Sequence, residues 1–245
     1  MDSGDRARFT PAVLALAAIA SVLLPEPLLA EETFILNGHA PDPYTKQDGS
    51  GQLDRIVQEA FSRAGLAVQT RMLPGKRGIA YADRGLHDGH YVRGKIMLEA
   101  YPNLVPVPVV VARAVHRAVS KAPGLAVDGW ESLGAYVVGY YLGSGLYESH
   151  RQDYGEAVPV RSFRIPLRMV QAGHIDLALI EQSVFRSLSA SEDFSDLVLL
   201  SPPIEEQELF IMLNRRHEAL LPKLTEALES MREDGTIVRL CPACR

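Results

Sequence analysis

The chain reads as an α/β protein of two similar lobes, and three observations carry that reading. Between Arg164 and Glu181 a short apolar helix stops at Gly173, and after two residues Asp176 opens the run Leu177-Ala178-Leu179-Ile180. A continuous apolar run of that length marks a strand buried on both faces of a parallel sheet. A weaker copy of the unit lies some ninety residues upstream, where a helix beginning near Arg77 stops at Gly85 and Asp88 follows. Two such units at that distance imply two lobes, because a solenoid repeat would recur at 20–50 residues or so.

The elements follow in order. Thr33 to Leu36 is a strand broken at Asn37-Gly38, and His39-Ala40-Pro41-Asp42-Pro43-Tyr44 is a Pro-rich loop that cannot prolong it. Leu53, Ile56, Val57, Ala60 and Phe61 recur at helical spacing until Gly65. Val68 to Met72 is a second strand, Pro74-Gly75 turns into the helix that ends at Gly85, and Gly89 to Val92 is a third strand. Prolines 106 and 108 exclude a central strand over Val105–Val111, since each removes a ladder donor. An extended edge segment therefore passes into a strand over Val109–Val119 that leaves the first lobe.

Beyond the loop at Pro123–Gly129, Ala135 to Tyr140 is an apolar strand and Gly143-Ser144-Gly145 begins a helix. Glu156 to Val160 is a strand, followed by the unit already described. Ser183 to Leu188 is helical, Leu197 to Leu200 is an edge run, and Glu208 to Leu213 is a strand returning to the first lobe. Leu220, Leu221, Leu224, Leu228 and Met231 mark an amphipathic helix stopped at Gly235.

Composition narrows the function. Of the 245 residues, 47% are hydrophobic and 22% charged, and the formal net charge is −5 with both signs interspersed. No basic run exists, so nucleic acid is not an expected partner. Arg6 and Arg8 precede the apolar run Ala12–Leu24, and Leu28-Leu29-Ala30 offers a cleavage site before Glu31. The run has signal-peptide length and falls short of the 20 or so residues that span a membrane. The expectation is a signal peptide over 1–30 and a periplasmic chain, with an uncleaved anchor as the alternative. In an exported chain Cys241 and Cys244 read as a small local disulfide.

The order of motifs resembles the family 3 extracellular solute-binding proteins, the periplasmic receptors that deliver amino acids and similar solutes to ABC transporters. The resemblance runs from Thr33 to Arg239. It rests on Pro43-Tyr44, the helix with Asp54, Ile56, Val57 and Ala60 ending at Gly65, and Gly85-x-x-Asp88-Gly89. It continues through Trp130-Glu131-Ser132-Leu133-Gly134, Gly173-x-x-Asp176 leading to Ile180-Glu181, and Leu228-x-x-Met231-x-x-Asp234-Gly235. It implies a type II periplasmic-binding-protein-like fold, two α/β lobes with a ligand cleft between them and two hinge crossings. The lobes would be 31–115 and 116–208, with 209–245 completing the first. It further implies a monomer, a small-molecule solute and an ABC transporter permease as partner, with no cofactor and no catalytic or metal residues.

Six residues are candidates for the ligand site. Tyr44 occupies the family's stacking position, with simple packing as the alternative. The family's Thr-x-x-Arg pattern is absent. Arg93 is the nearest substitute for its anion clamp and Arg77 the second choice. Gly143 and Ser144 would offer backbone donors to an anion, or form a plain turn. Glu181 fills the position that binds a ligand amino group, and as a residue just past a strand it would also cap a helix. Asp88 and Asp176 read as turn and strand-start residues. His87 and His90 are too few donors for a zinc site. Two other uses of the same scaffold are an exported enzyme resembling cyclohexadienyl dehydratases, with Glu181 as general acid, and a stand-alone sensor domain.

Overall fold

The computed structural model describes Met1 and residues 33–40, 43–242 and 244. The expected signal segment, with its cleavage site, lies outside the described residues, as do Pro41 and Asp42 of the first loop. Among the described residues no helix is long and apolar enough to cross a membrane.

The first lobe begins with β1 (Thr33–Gly38), α1 (Gln52–Arg63), β2 (Ala67–Met72), α2 (Gly75–Asp83) and β3 (Gly89–Arg93). β4 (Leu104–Pro106) and β5 (Ala112–Ser120) follow. The second lobe holds β6 (Val137–Tyr141), α3 (Gly145–Ser149), β7 (Glu156–Val160), α4 (Arg164–Gln171), β8 (Leu177–Glu181), α5 (Gln182–Ser189) and the short β9 (Val198–Leu199). β10 (Glu205–Asn214) leads back to α6 (Leu221–Glu233) and α7 (Thr236–Leu240). β1 pairs in parallel with β2 and β3, and β6 pairs in parallel with β7 and β8. Each lobe is thus a βαβαβ unit with its first strand in the middle.

The duplicated Gly-x-x-Asp does the same work in both units. Gly85 and Gly173, each at φ +71, end their helices in the left-handed region that glycine enters without steric cost. Two residues on, the Asp88 carboxylate accepts from the Ile35 N–H at 2.8 Å and its own N–H donates to the Ile35 carbonyl at 2.9 Å. Asp176 repeats the pair on Val137, at 2.8 and 3.0 Å. Each aspartate fastens the start of the third strand of its unit to the start of the first.

α1 buries Leu53, Ile56, Val57, Ala60 and Phe61 against the sheet, and α6 adds Leu224, Leu228 and Met231 to the same core. Ile56 and Val57 are fully buried, and each contributes roughly 1.5–3 kcal/mol. On the opposite face α2 contributes Ile79 and Ala82. The second lobe has its own two cores, one around Leu133, Tyr140 and Tyr147 and the other around Leu167, Val170 and Phe185.

Two strands cross between the lobes. β5 pairs antiparallel with β8 in the second lobe, and the first half of β10 pairs antiparallel with β5. The second half of β10 pairs with β3 and β4 in the first lobe after a register break between Phe210 and Met212. The return strand therefore starts at Glu205, three residues ahead of the expectation, because its first half belongs to the crossing. β5 starts at Ala112 rather than Val109. β4 hydrogen-bonds only at the edge of β10, in keeping with the prolines around it.

The carboxyl terminus belongs to the first core. Cys241 is fully buried there and is joined to Cys244 by a disulfide.

Asp88 gives a test of the strand fastening. Burial works against its charge, but the Ile35 N–H, Arg216 and His217 outweigh burial and hold its carboxyl below the ordinary value. A depressed carboxyl contributes stability above its unfolded pKa of about 3.9 and loses it as pH falls through the folded value. Asp88→Ala should cost about 1–3 kcal/mol near neutral pH. In urea unfolding, the gap to the parent chain should narrow between pH 6 and pH 3.

Candidate functional site

A cavity of about 230 Å³ lies between the lobes, and both crossing strands contribute to its wall. Its lining comes mainly from the carboxyl ends of the parallel strands, where open α/β sheets place ligands. His39 follows β1, Gly75 and Lys76 follow β2, and Arg93 ends β3. Tyr141 ends β6, Phe163 follows β7, and Glu181 ends β8. From the crossing strands Ala112, Ala114 and His116 reach it on alternate positions of β5, with Gln207 and Leu209 from β10.

Tyr44 lines the cavity and is buried in the first core. Its loop is held by Asp54, a fully buried carboxylate in the first turn of α1 that accepts from the N–H groups of Lys46 and Gly51, each at 2.9 Å. The Tyr91 hydroxyl donates to the other Asp54 oxygen. Burial pushes the Tyr44 hydroxyl up, and Ser183 and Glu181 of the second lobe lie beside it.

Arg93 is at the floor. Its Nε is buried without a hydrogen-bond partner, and one terminal nitrogen lies 3.4 Å from His90 Nε2. Among the described residues no carboxylate pairs with it. Burial draws the guanidinium down to about 10, which leaves it charged at neutral pH. Burial, helped by the Arg93 charge, lowers His39 and lowers His90 much further, so both neighbours stay neutral. Gly75 makes room, since a Cβ there would stand 3.0 Å from an Arg93 nitrogen and 3.1 Å from the His39 ring. Val92, at φ 61, is a β-branched residue in the left-handed region, a strain of about 1–3 kcal/mol that sits directly before Arg93.

Arg77 does not line the cavity; it is exposed on α2, while Lys76 faces the cleft. One residue along a helix turns the side chain by about 100°, enough to carry Arg77 out into solvent. Lys76 reaches across to Glu148 of α3 at 2.6 Å, and the other Glu148 oxygen accepts from the Gly143 N–H at 2.6 Å. Gly143 and Ser144 line the cavity as expected, but the Gly143 donor serves the chain's own carboxylate. Burial opposes the Glu148 charge, and Lys76 with the Gly143 N–H outweighs it and lowers the carboxyl.

Glu181 is in the cavity and is also a helix cap. One oxygen accepts from the Ser183 N–H at 3.0 Å; the other accepts from the Val184 N–H at 3.2 Å and from the Ser183 hydroxyl. The cap read from the sequence is thus present, and the same side chain lines the cavity. Opposite it on β5, His116 meets the Tyr147 hydroxyl at 2.9 Å, and burial draws its imidazole down to about 4. Tyr141 stacks on Phe163 at 4.3 Å within the second lobe and on His39 at 6.4 Å across the cleft.

Lys76, His39, His116 and Phe163 were not among the expected site residues. The alternation Ala112-Arg113-Ala114-Val115-His116 in a crossing strand was the available signal for His116. Among the described residues no group of three His, Cys, Asp or Glu side chains is placed to hold a metal ion.

No protein-family model and no curated protein matches the chain. Solved structures do. A histidine kinase sensor domain with similarity to periplasmic binding proteins is 16% identical, with a TM-score of 0.72 over 87% of this chain and 96% of that one. The substrate binding protein of an amino acid ABC transporter is 13% identical, with a TM-score of 0.66 over 87% and 99%. The GluR0 ligand-binding core from Nostoc punctiforme, solved with (L)-glutamate, is 13% identical, with a TM-score of 0.70 over 84% and 96%. The chain has the two-lobed fold of the type II periplasmic binding proteins.

Removing the Glu181 cap should be visible without any ligand. Glu181→Ala leaves the Ser183 and Val184 N–H groups without their acceptor and should cost about 0.5–2 kcal/mol. Urea unfolding of both chains in the absence of solute measures it.

Proposed function

We propose that this chain is a non-catalytic solute-binding protein that captures a small carboxylate-bearing solute in the cleft between its lobes. One observation carries the reading. Arg93 is a half-buried, charged guanidinium on the cavity floor, its Nε buried without a hydrogen-bond partner and no carboxylate paired with it among the described residues. An unpaired buried charge costs several kcal/mol, and an anion entering the cleft removes that cost with charge-assisted hydrogen bonds. The solute would touch Arg93 on one lobe and Tyr141 and Phe163 on the other. Its differential affinity would then favour the closed arrangement.

The amino acid binding proteins among the structural neighbours support this reading, and the expected partner is an ABC transporter permease. The sensor-domain neighbour supports a second use of the same capture step, in which closure is passed to a signalling protein. A thermal-shift screen of amino acids and small carboxylates tests the capture itself. A solute at a hundred times its Kd adds about 2.7 kcal/mol, which for a chain of this size raises Tm by roughly 5–10 °C. Arg93→Gln should abolish most of that shift. A shift that survives in this variant, or a screen without any shift, would sink the reading.

We also propose that the chain acts in the periplasm, on the strength of the Ala12–Leu24 run and the acidic start that follows. Amino-terminal sequencing of the exported protein should begin near Glu31; an intact Met1 would overturn this.

A further inference from the structure

Resting on the solute-binding reading, we propose that the solute is a monocarboxylate with an apolar or aromatic body and no ammonium group. The charges around the cavity decide the class. Three cations line it, Lys76, Arg93 and Arg113. Lys76 is paired with Glu148 at 2.6 Å, and Arg113 with Glu208 at 3.1 Å. That leaves Arg93, with its buried and unpartnered Nε, as the one cation of the wall without a carboxylate partner among the described residues.

An α-amino acid would need a second subsite, an acceptor for its ammonium group. Among the described lining residues Glu181 is the one acid. Its two oxygens already take two backbone N–H groups and a hydroxyl, and its charge sits at the amino end of α5, where the helix dipole stabilises it. Glu148, just behind the wall, is held by Lys76 and Gly143. An ammonium group would have to compete for Glu181 with the three donors of its cap, or break the cross-cleft ion pair of Lys76 with Glu148. His39 and His116, kept neutral by burial, carry no negative charge to balance an ammonium group.

The rest of the wall suits a hydrocarbon or a ring. Leu53, Ile79, Val92, Tyr141 and Phe163 face the cavity together with the small floor residues Ala112 and Ala114. One unmatched cation beside a largely apolar stretch of wall is the pattern of a site that takes a single carboxylate by its head and buries its tail.

Matched pairs test this. Calorimetric titration of the full mature chain with 3-phenylpropionate against L-phenylalanine, and 4-methylpentanoate against L-leucine, compares identical skeletons with and without the ammonium group. The amino-less acid should bind at least tenfold more tightly in one or both pairs. Its neutral amide should bind at least tenfold more weakly, and Arg93→Gln should weaken the acid by a similar factor. An amino acid that binds as tightly as its partner acid, or more so, with Arg93→Gln still weakening it, overturns this inference and leaves solute capture standing. Absence of binding by all four, together with an empty thermal-shift screen, overturns both.

Discussion

The antiparallel pairing of Ala112–His116 with Glu205–Leu209 is the constraint on which the rest of the molecule depends. β5 pairs with β8 and β9 of the second lobe and β10 with β3 and β4 of the first, and the two join the lobes by pairing with each other. Each lobe closes its own βαβαβ unit and its own cores, so without this ladder the chain would be two separate half-proteins. With it, the carboxyl ends of both sets of parallel strands are aimed at one gap. Trp130 tightens the arrangement from the second lobe by donating to Glu205 at 2.8 Å. Ala112, Ala114 and His116 of β5 line the cavity, and Arg113 between them lines it as well while pairing with Glu208. Small side chains there leave a volume open that larger ones would fill.

The parts of this design that rest on local chemistry were legible in the sequence. Gly85-x-x-Asp88 and Gly173-x-x-Asp176 announce two equivalent units because the helix stop, the turn and the strand start are neighbours in the chain. The structure adds only that each aspartate grips a strand some forty to fifty residues earlier. Tyr44 and Arg93 became candidates through the family resemblance, and Glu181 both through it and because it stands at the end of a strand.

What could not be read depends on rotation about a helix or on pairing between distant segments. Lys76 and Arg77 are equivalent as letters, and only the phase of α2 sends one to the cleft and the other to solvent. Glu148 was not among the candidate site residues. That its carboxylate would fill the anion position beside Gly143, and reach Lys76 of the other lobe, depends on the lobes facing each other. The start of β10 was set late because the segment Glu205–Gln207, polar and unremarkable as a local pattern, is recruited to a strand by its partner β5.

Arg93 shows how the site spends stability that the cores supply. The residue before it is held in a left-handed conformation that a β-branched side chain resists, and the guanidinium is half-buried without an acid. Neighbouring imidazoles could have shared a proton with a solute or repelled a second cation, but burial keeps them neutral. Arg93 is therefore the one cation of the wall without a carboxylate partner among the described residues. A bound anion relieves that charge only if it is itself withdrawn from water, which requires the second lobe to cover it with Tyr141 and Phe163. Desolvation and neutralisation are thus joined in one step. In the proposed reading, the same unmatched cation that disfavours the empty site would make the closed, occupied one the lower state, with no other trigger for closure.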